Sequence, residues 1–172
     1  MNLQSNDFEL FGIAERFAQD RPALDARWKE LQRQAHPDKF AAQGAAAQRV
    51  AMQWSVRINE AYQRLKEPLR RAAYLCELRG TPIRAEDNTA MPAAFLMQQM
   101  EWREALEDAQ TAAAMDALDD EVMQARKAGL ARCEVLIDLQ QDYASAAQQV
   151  RALMFIARFA DDIERRREQL GQ

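Results

Sequence analysis

The chain carries one histidine, His36, set two residues from a carboxylate in the run His36-Pro37-Asp38-Lys39-Phe40. An imidazole beside a carboxylate is raw material for a hydrolytic dyad or a metal site, and neither finds its remaining members. No Gly-x-Ser-x-Gly elbow and no second histidine are present to complete a triad. Cys76 and Cys133 are far apart, form no Cys-x-x-Cys pair and give no metal-ligand spacing. No catalytic residue, metal ligand or cofactor is therefore expected. What the run does offer is a stiff recognition tip. Pro37 fixes its own φ and drives His36 out of the α region. A stiff loop loses little entropy on binding. Asp38 presents an acceptor-only carboxylate suited to a partner arginine.

Two helices must hold that tip. The first follows Asp20, a candidate N-cap, with Pro22 in its opening turn. Its apolar positions Leu24, Trp28, Leu31 and Ala35 are spaced 4, 3 and 4, one face of a helix that ends before Pro37. The second runs over 45–65 with Val50, Trp54, Ile58, Ala61, Tyr62 and Leu65 as its apolar face. The pair reads as an antiparallel hairpin turning at 37–44. Lys29 and Arg33, four residues apart on the face opposite Leu24 and Trp28, join Lys39 in a local basic edge. Such an edge steers an acidic partner surface and raises on-rate more than affinity. A short helix over 7–11 stopping at Gly12 precedes the hairpin, and another over 69–78 follows it.

The stretch from Thr81 to Pro92 has two prolines, an Asp-Asn-Thr cluster and no periodicity, which places a boundary there. Three longer helical segments follow, over 92–113, 116–140 and 142–170, the pattern of a small antiparallel bundle. The first of them carries two apolar arcs when counted at about 100° per residue. Phe95, Trp102, Leu106 and Ala109 share one, fit for a core. Leu96, Met97 and Met100 lie roughly opposite, beside Glu101 and Glu104. A leftover apolar patch rimmed by carboxylates reads as a protein-binding surface, and flexible methionines suit one. In the last segment Val150, Leu153, Met154 and Ala157 make a core stripe, and Phe155 points off it, where it joins the same patch. The competing reading buries Leu96 or Phe155 against a neighbouring helix.

The His-Pro-Asp tip does not stand alone. Asp7-Phe8-Glu9-Leu10-Phe11-Gly12-Ile13 lies upstream, and Ile58-Asn59-Glu60-Ala61-Tyr62, Glu67-Pro68 and Arg71-Ala72-Ala73-Tyr74-Leu75 lie downstream. Together they resemble the J-domain of DnaJ-type co-chaperones. With Phe95-Leu96-Met97 leading into Arg103-Glu104, nearly the whole chain resembles the HscB family, the J-type co-chaperones of iron–sulfur cluster assembly. Met100 and Trp102 stand at positions where leucine is the commoner choice in that family. The resemblance implies an all-α chain: an N-terminal J-domain over 1–80, a linker over 81–91 and a C-terminal three-helix scaffold-binding domain over 92–172, arranged as an L. It implies that His36, Pro37, Asp38, Lys29, Arg33 and Lys39 contact an HscA-like heat-shock ATPase and stimulate it. Leu96, Met97, Met100, Glu101, Glu104 and Phe155 would bind an IscU-like iron–sulfur scaffold. The alternative is a general J-protein for unfolded clients, although the Gly/Phe-rich linker and cysteine-rich module of those forms are missing. From other classes, a hydrolase built on His36 and Asp38 would turn over a small substrate, and a helical oligomer would use the methionine patch as its seam.

Composition agrees with a helical protein that works on other proteins. Among 172 residues only 5 are Gly and 5 Pro, which disfavours a turn-rich β fold. With 23 basic and 27 acidic side chains the net charge is −4, the wrong sign for a general nucleic-acid binder. No stretch reaches the ~20 apolar residues that span a bilayer. Asp7 and Glu9 interrupt the first ten residues, so no signal peptide is expected, and two separated cysteines suit a reducing compartment. A bacterial cytoplasmic location is expected.

Overall fold

Gly12 and Pro37 punctuate the first half of the chain as their chemistry requires. In the computed structural model, which describes residues 2–171, helix α1 (Asp7–Phe11) ends on Gly12, whose φ of 65° is left-handed and free of strain only without a Cβ. Helix α2 (Arg21–Ala35) stops at His36, which is extended with ψ 129°, as a residue before proline must be. Asp20 stands at the N-cap of α2 but its side chain makes no capping hydrogen bond, with Pro22 in the first turn. The connection Pro37–Gln43 is a 3₁₀ helix. Helices α3 (Ala45–Lys66) and α4 (Pro68–Leu78) follow, broken at Glu67 by Pro68. All regular structure among the described residues is helical.

The chain divides into two compact units, Met1–Tyr74 and Leu75–Gln172. The division falls inside α4, whose Ala72 and Tyr74 belong to the first core and whose Leu75 and Cys76 belong to the second.

The first unit is organised around a buried acid. Asp7 is fully buried, and its carboxylate accepts from Arg64 Nε at 2.6 Å and Arg64 Nη2 at 3.0 Å, and is ion-paired with Arg57, whose Nη1 lies 2.8 Å away. Its backbone N–H donates to Tyr74 Oη at 3.0 Å, and the Arg64 guanidinium lies 4.3 Å over the Tyr74 ring. Asp7 thus ties α1 to α3 through its carboxylate and to the middle of α4 through its backbone N–H. Phe8, Leu10 and Phe11 of α1 are buried together with Leu24 and Leu31 of α2 and Ile58 and Leu65 of α3. Val50, expected on the core face of α3, is half exposed, and Ala51 is buried in its place. The apolar face near the start of α3 is rotated by one residue relative to the expectation.

The second unit contains α5 (Ala93–Asp108), α6 (Ala112–Glu134), a π turn (Val135–Leu139) and α7 (Tyr143–Leu170). Helix α6 starts earlier than the sequence suggested, because Thr111 caps it by accepting from Ala114 N–H at 3.1 Å. Helix α7 is buried along Ala146, Ala147, Val150, Leu153, Ile156, Phe159 and Ile163. The stretch 81–91 is fastened to α7. Ile83 is buried, and the buried Arg151 donates from Nε to Ile83 O at 3.0 Å and from Nη1 to Ala90 O at 3.1 Å.

Cys76 and Cys133 are both buried free thiols in this unit. Burial raises the Cys76 thiol to about 11 and the Cys133 thiol to about 12, because a thiolate loses its hydration there. At pH 8 about one Cys76 in a thousand is therefore ionised. Native protein should resist iodoacetamide at pH 8 for hours and take up two equivalents once unfolded in urea, as read by mass spectrometry. Rapid alkylation of the folded chain would contradict the buried placement.

Candidate functional site

The tip of the hairpin is held by its own histidine. His36 Nδ1 accepts from Asp38 N–H at 3.2 Å, so His36 caps the first turn of the 3₁₀ helix and its ring proton belongs on Nε2. Lys39 N–H donates to His36 O at 3.0 Å and closes the turn. The Asp38 carboxylate lies 3.6 Å from His36 Nδ1 and is 92% exposed. The proline, the ring cap and the turn together fix the backbone that carries this carboxylate while leaving both its oxygens free for a partner. Because Nδ1 is engaged by a backbone amide, His36 and Asp38 are not arranged as a base–orienter pair. Among the described residues no group of three or more His, Cys, Asp or Glu is gathered to hold a metal.

A polar seam keeps the two hairpin helices in register behind the tip. Trp28 stacks on Tyr62 with centroids 4.6 Å apart and donates from Nε1 to Asn59 Oδ1 at 3.0 Å. Gln32 Nε2 donates to Asn59 Oδ1 at 2.7 Å and to Ser55 O at 3.2 Å, and Ser55 Oγ donates back to Gln32 Oε1 at 2.8 Å. Further from the tip, Tyr62 Oη donates to Asp25 Oδ1 at 2.6 Å and Arg21 Nε reaches the same oxygen at 2.8 Å. The Tyr62 hydroxyl and then Arg21 hold the Asp25 carboxyl below the usual carboxylate range, and Asp25 in turn pushes the Tyr62 hydroxyl up. Sequence reasoning counted Trp28 and Tyr62 as apolar face and missed the seam. Its signal was a polar pair at i,i+4 on each helix, Trp28 with Gln32 and Ser55 with Asn59.

Lys29, Arg33 and Lys39 are all exposed on the outer side of the hairpin. Arg33 is paired with Glu30 on the helix surface. That pair offsets part of the positive charge expected of this edge, which leaves Lys29 and Lys39 as its stronger elements.

In the second unit the roll of α5 is set by Trp102. The indole is 1% exposed, stacks on Phe159 at 5.7 Å, meets Phe95 edge-on at 5.8 Å and donates from Nε1 to Glu121 Oε1 at 3.2 Å. With Trp102 turned inward, the opposite arc faces water. Leu96 is 51%, Met97 64% and Met100 64% exposed, with Glu101 and Glu104 exposed beside them. Three large apolar side chains in a row on one helix face, flanked by carboxylates, form a patch that nothing in this unit covers.

Phe155 departs from the expectation. It is 7% exposed, stacked on Phe159 at 5.8 Å and edge-on to Phe95 at 5.6 Å. The Arg103 guanidinium lies 5.4 Å over its ring. Phe155 is therefore part of the aromatic floor under α5 and not a member of the exposed patch. The expected stripe of α7 is itself out of phase beyond Leu153: Ala157 is exposed and Met154 only half-buried, and the buried side runs through Ala152, Phe155, Ile156 and Phe159.

Residues 91–164 match the model of the HSCB C-terminal oligomerisation domain. Over 99% of its length the chain is 51% identical to a co-chaperone protein HscB homolog of Burkholderia thailandensis, covering 98% of that relative. Among solved structures, the chaperone HscB from Vibrio cholerae is similar with a TM-score of 0.80 and 38% identity over 96% of this chain and 99% of the other. The human co-chaperone protein HscB is similar with a TM-score of 0.87 and 26% identity over 97% of this chain and 84% of the other. No helix among the described residues is long and apolar enough to cross a membrane.

If Trp102 sets the roll of α5, truncating it should cost about 3–5 kcal/mol of stability. Urea unfolding of Trp102→Ala should show that loss together with faster amide exchange along 93–108. Trp102→Phe keeps an aromatic on Phe159 and should lose well under half as much. Wild-type exchange along α5 in Trp102→Ala would contradict the assignment.

Proposed function

The chain belongs to the HscB family of co-chaperones, and from that premise we propose that it stimulates the ATPase of an HscA-like heat-shock chaperone while delivering to it an IscU-like iron–sulfur scaffold. The observation that carries the reading is the outward α5 face: Leu96, Met97 and Met100 exposed between Glu101 and Glu104 on a chain that also bears an exposed, stiffly held Asp38.

On this reading Asp38, on a backbone fixed by Pro37 and capped by His36, engages a cationic group of the ATPase in a charge-assisted contact. Lys29 and Lys39, with Arg33 beside Glu30, speed encounter with an acidic surface of the same partner. Hydrolysis is the partner's chemistry, and no group of this chain enters it. The α5 patch holds the scaffold by burying aliphatic and thioether surface, and Glu101 and Glu104 select basic side chains around it. Residues 1–80 then serve as the J-domain and 92–172 as the scaffold-binding domain. Joining both surfaces in one chain raises the concentration of scaffold at the chaperone without any new contact. The setting we propose is the bacterial cytoplasm, where the transferred cluster matures iron–sulfur proteins.

The test is the steady-state ATPase rate of the HscA-like chaperone with scaffold, with and without this protein. The full chain should raise the rate synergistically with scaffold. Asp38→Ala should abolish stimulation, since loss of a buried charge-assisted contact costs about 2–5 kcal/mol, and leave scaffold binding intact. The pair Met97→Asp, Met100→Asp should weaken scaffold binding more than tenfold and remove only the synergy. Stimulation without dependence on scaffold, together with binding of many unrelated unfolded chains, would favour a general J-protein instead.

A further inference from the structure

An open groove of about 400 Å³ lies between α5, α6 and α7, and none of Leu96, Met97 and Met100 lines it. Its floor is the buried trio Ala152, Leu153 and Ile156 of α7, and its α6 wall is Ala125, Ala128 and Gly129. Gly129 makes room there: a Cβ would stand 2.9 Å from Leu153 Cδ2, so with any larger residue Leu153 would have to shift from its place against α6. The polar groups at the groove are Gln98, Gln149 and Arg132, and Arg132 is the one charge. Gln149 Oε1 lies 3.7 Å from where a Cβ at Gly129 would stand, one turn before Arg132 on α6. The Arg132 guanidinium makes no hydrogen bond or ion pair among the described residues. The nearby carboxylate of Asp142, which senses its charge, is engaged instead as the cap of α7, accepting from Ser145 N–H at 3.1 Å.

We propose that this groove binds a medium-chain aliphatic carboxylate, with its chain on Ala152, Leu153 and Ile156 and its carboxylate on Arg132 beside Gln149. The volume lies within the ordinary range of ligand pockets. From Ala125 to Arg132 the groove runs roughly 10 Å along α6 at 1.5 Å per residue, the length of an extended chain of about eight carbons. An apolar floor with one cation at one end, its guanidinium donors free of hydrogen bonds among the described residues although the Asp142 carboxylate lies nearby, is complementary to an apolar chain with a single anion at one end. An acyl chain fits better than an extended peptide, because the helix backbones lining the groove are hydrogen-bonded internally and would leave peptide amides without partners. The inference stands independently of the co-chaperone reading.

The test is calorimetric titration of the full chain with sodium octanoate below its micellar concentration, with octylammonium as the charge control. Wild type should bind octanoate saturably at one per chain and show no octylammonium binding. Arg132→Gln should weaken octanoate binding at least tenfold. Ala128→Leu, which grows into the groove from an exposed position without entering the core, should abolish it while the circular dichroism melt stays unchanged. Absence of saturable octanoate binding by wild type, undiminished binding in either variant, or equal affinity for octylammonium would overturn the proposal.

Discussion

The inward turn of Trp102 is the constraint on which the second unit's surface depends. A helix has one roll, and burying a single large side chain fixes it. The indole stacks on Phe159, abuts Phe95 and satisfies its N–H on Glu121, so it has both packing and hydrogen-bonding reasons to stay inside. Every residue about half a turn away is then committed to water. Leu96, Met97 and Met100 are exposed because the helix that carries them has already satisfied its apolar demand through Trp102 and Ala109. An apolar face that folding does not need is available for recognition, at the cost of solubility that Glu101 and Glu104 offset.

The first unit solves a different problem, holding a small exposed corner still. Pro37 restricts the backbone, His36 caps the turn with its own ring, and the hairpin behind is locked by the Trp28–Asn59–Gln32–Ser55 hydrogen bonds. The buried Asp7 then fastens α1 and α4 to α3 through Arg57, Arg64 and Tyr74. The burial of this acid is compensated because its two oxygens meet two guanidinium groups. Removing the acid would strand those cations and be far worse than a hydrophobic pair of the same shape. Rigidity matters more than affinity at such a tip, because an ordered loop surrenders little entropy when a partner arrives.

Much of this was legible in residue spacing. Gly12 and Pro37 ended their helices as their backbone chemistry requires, and the 4-3-4 stripe of α2 and the two arcs of α5 gave the correct inner and outer faces. Four features were not legible, each for a physical reason. Thr111 sits in an alanine-rich stretch where helix propensity is high on both sides, so its capping role emerges only once the chain turns there. Val50 lies at the edge of its apolar arc, where a small rotation of α3 exchanges it for Ala51. Phe155 was set off a stripe that included Ala157, which is exposed, whereas Phe155 itself lies on the buried arc of α7 with Ile156 and Phe159. A wheel reports phase within one helix and cannot tell that α5 covers that side of α7. The polar seam was hidden for a similar reason: a hydrogen bond between Gln32 and Asn59 is a property of two helices in register, and neither sequence segment displays it alone.

On the proposed function, one chain presents two separate surfaces to two partners. Methyl and imidazole NMR of the full chain, titrated first with the scaffold and then with the ATP-loaded chaperone, reads both surfaces at once. The scaffold should shift the ε-methyl signals of Met97 and Met100 and leave the His36 ring unmoved, and the chaperone should do the reverse. Scaffold that leaves both methionines unshifted, or partners that perturb one common set of signals, would contradict it.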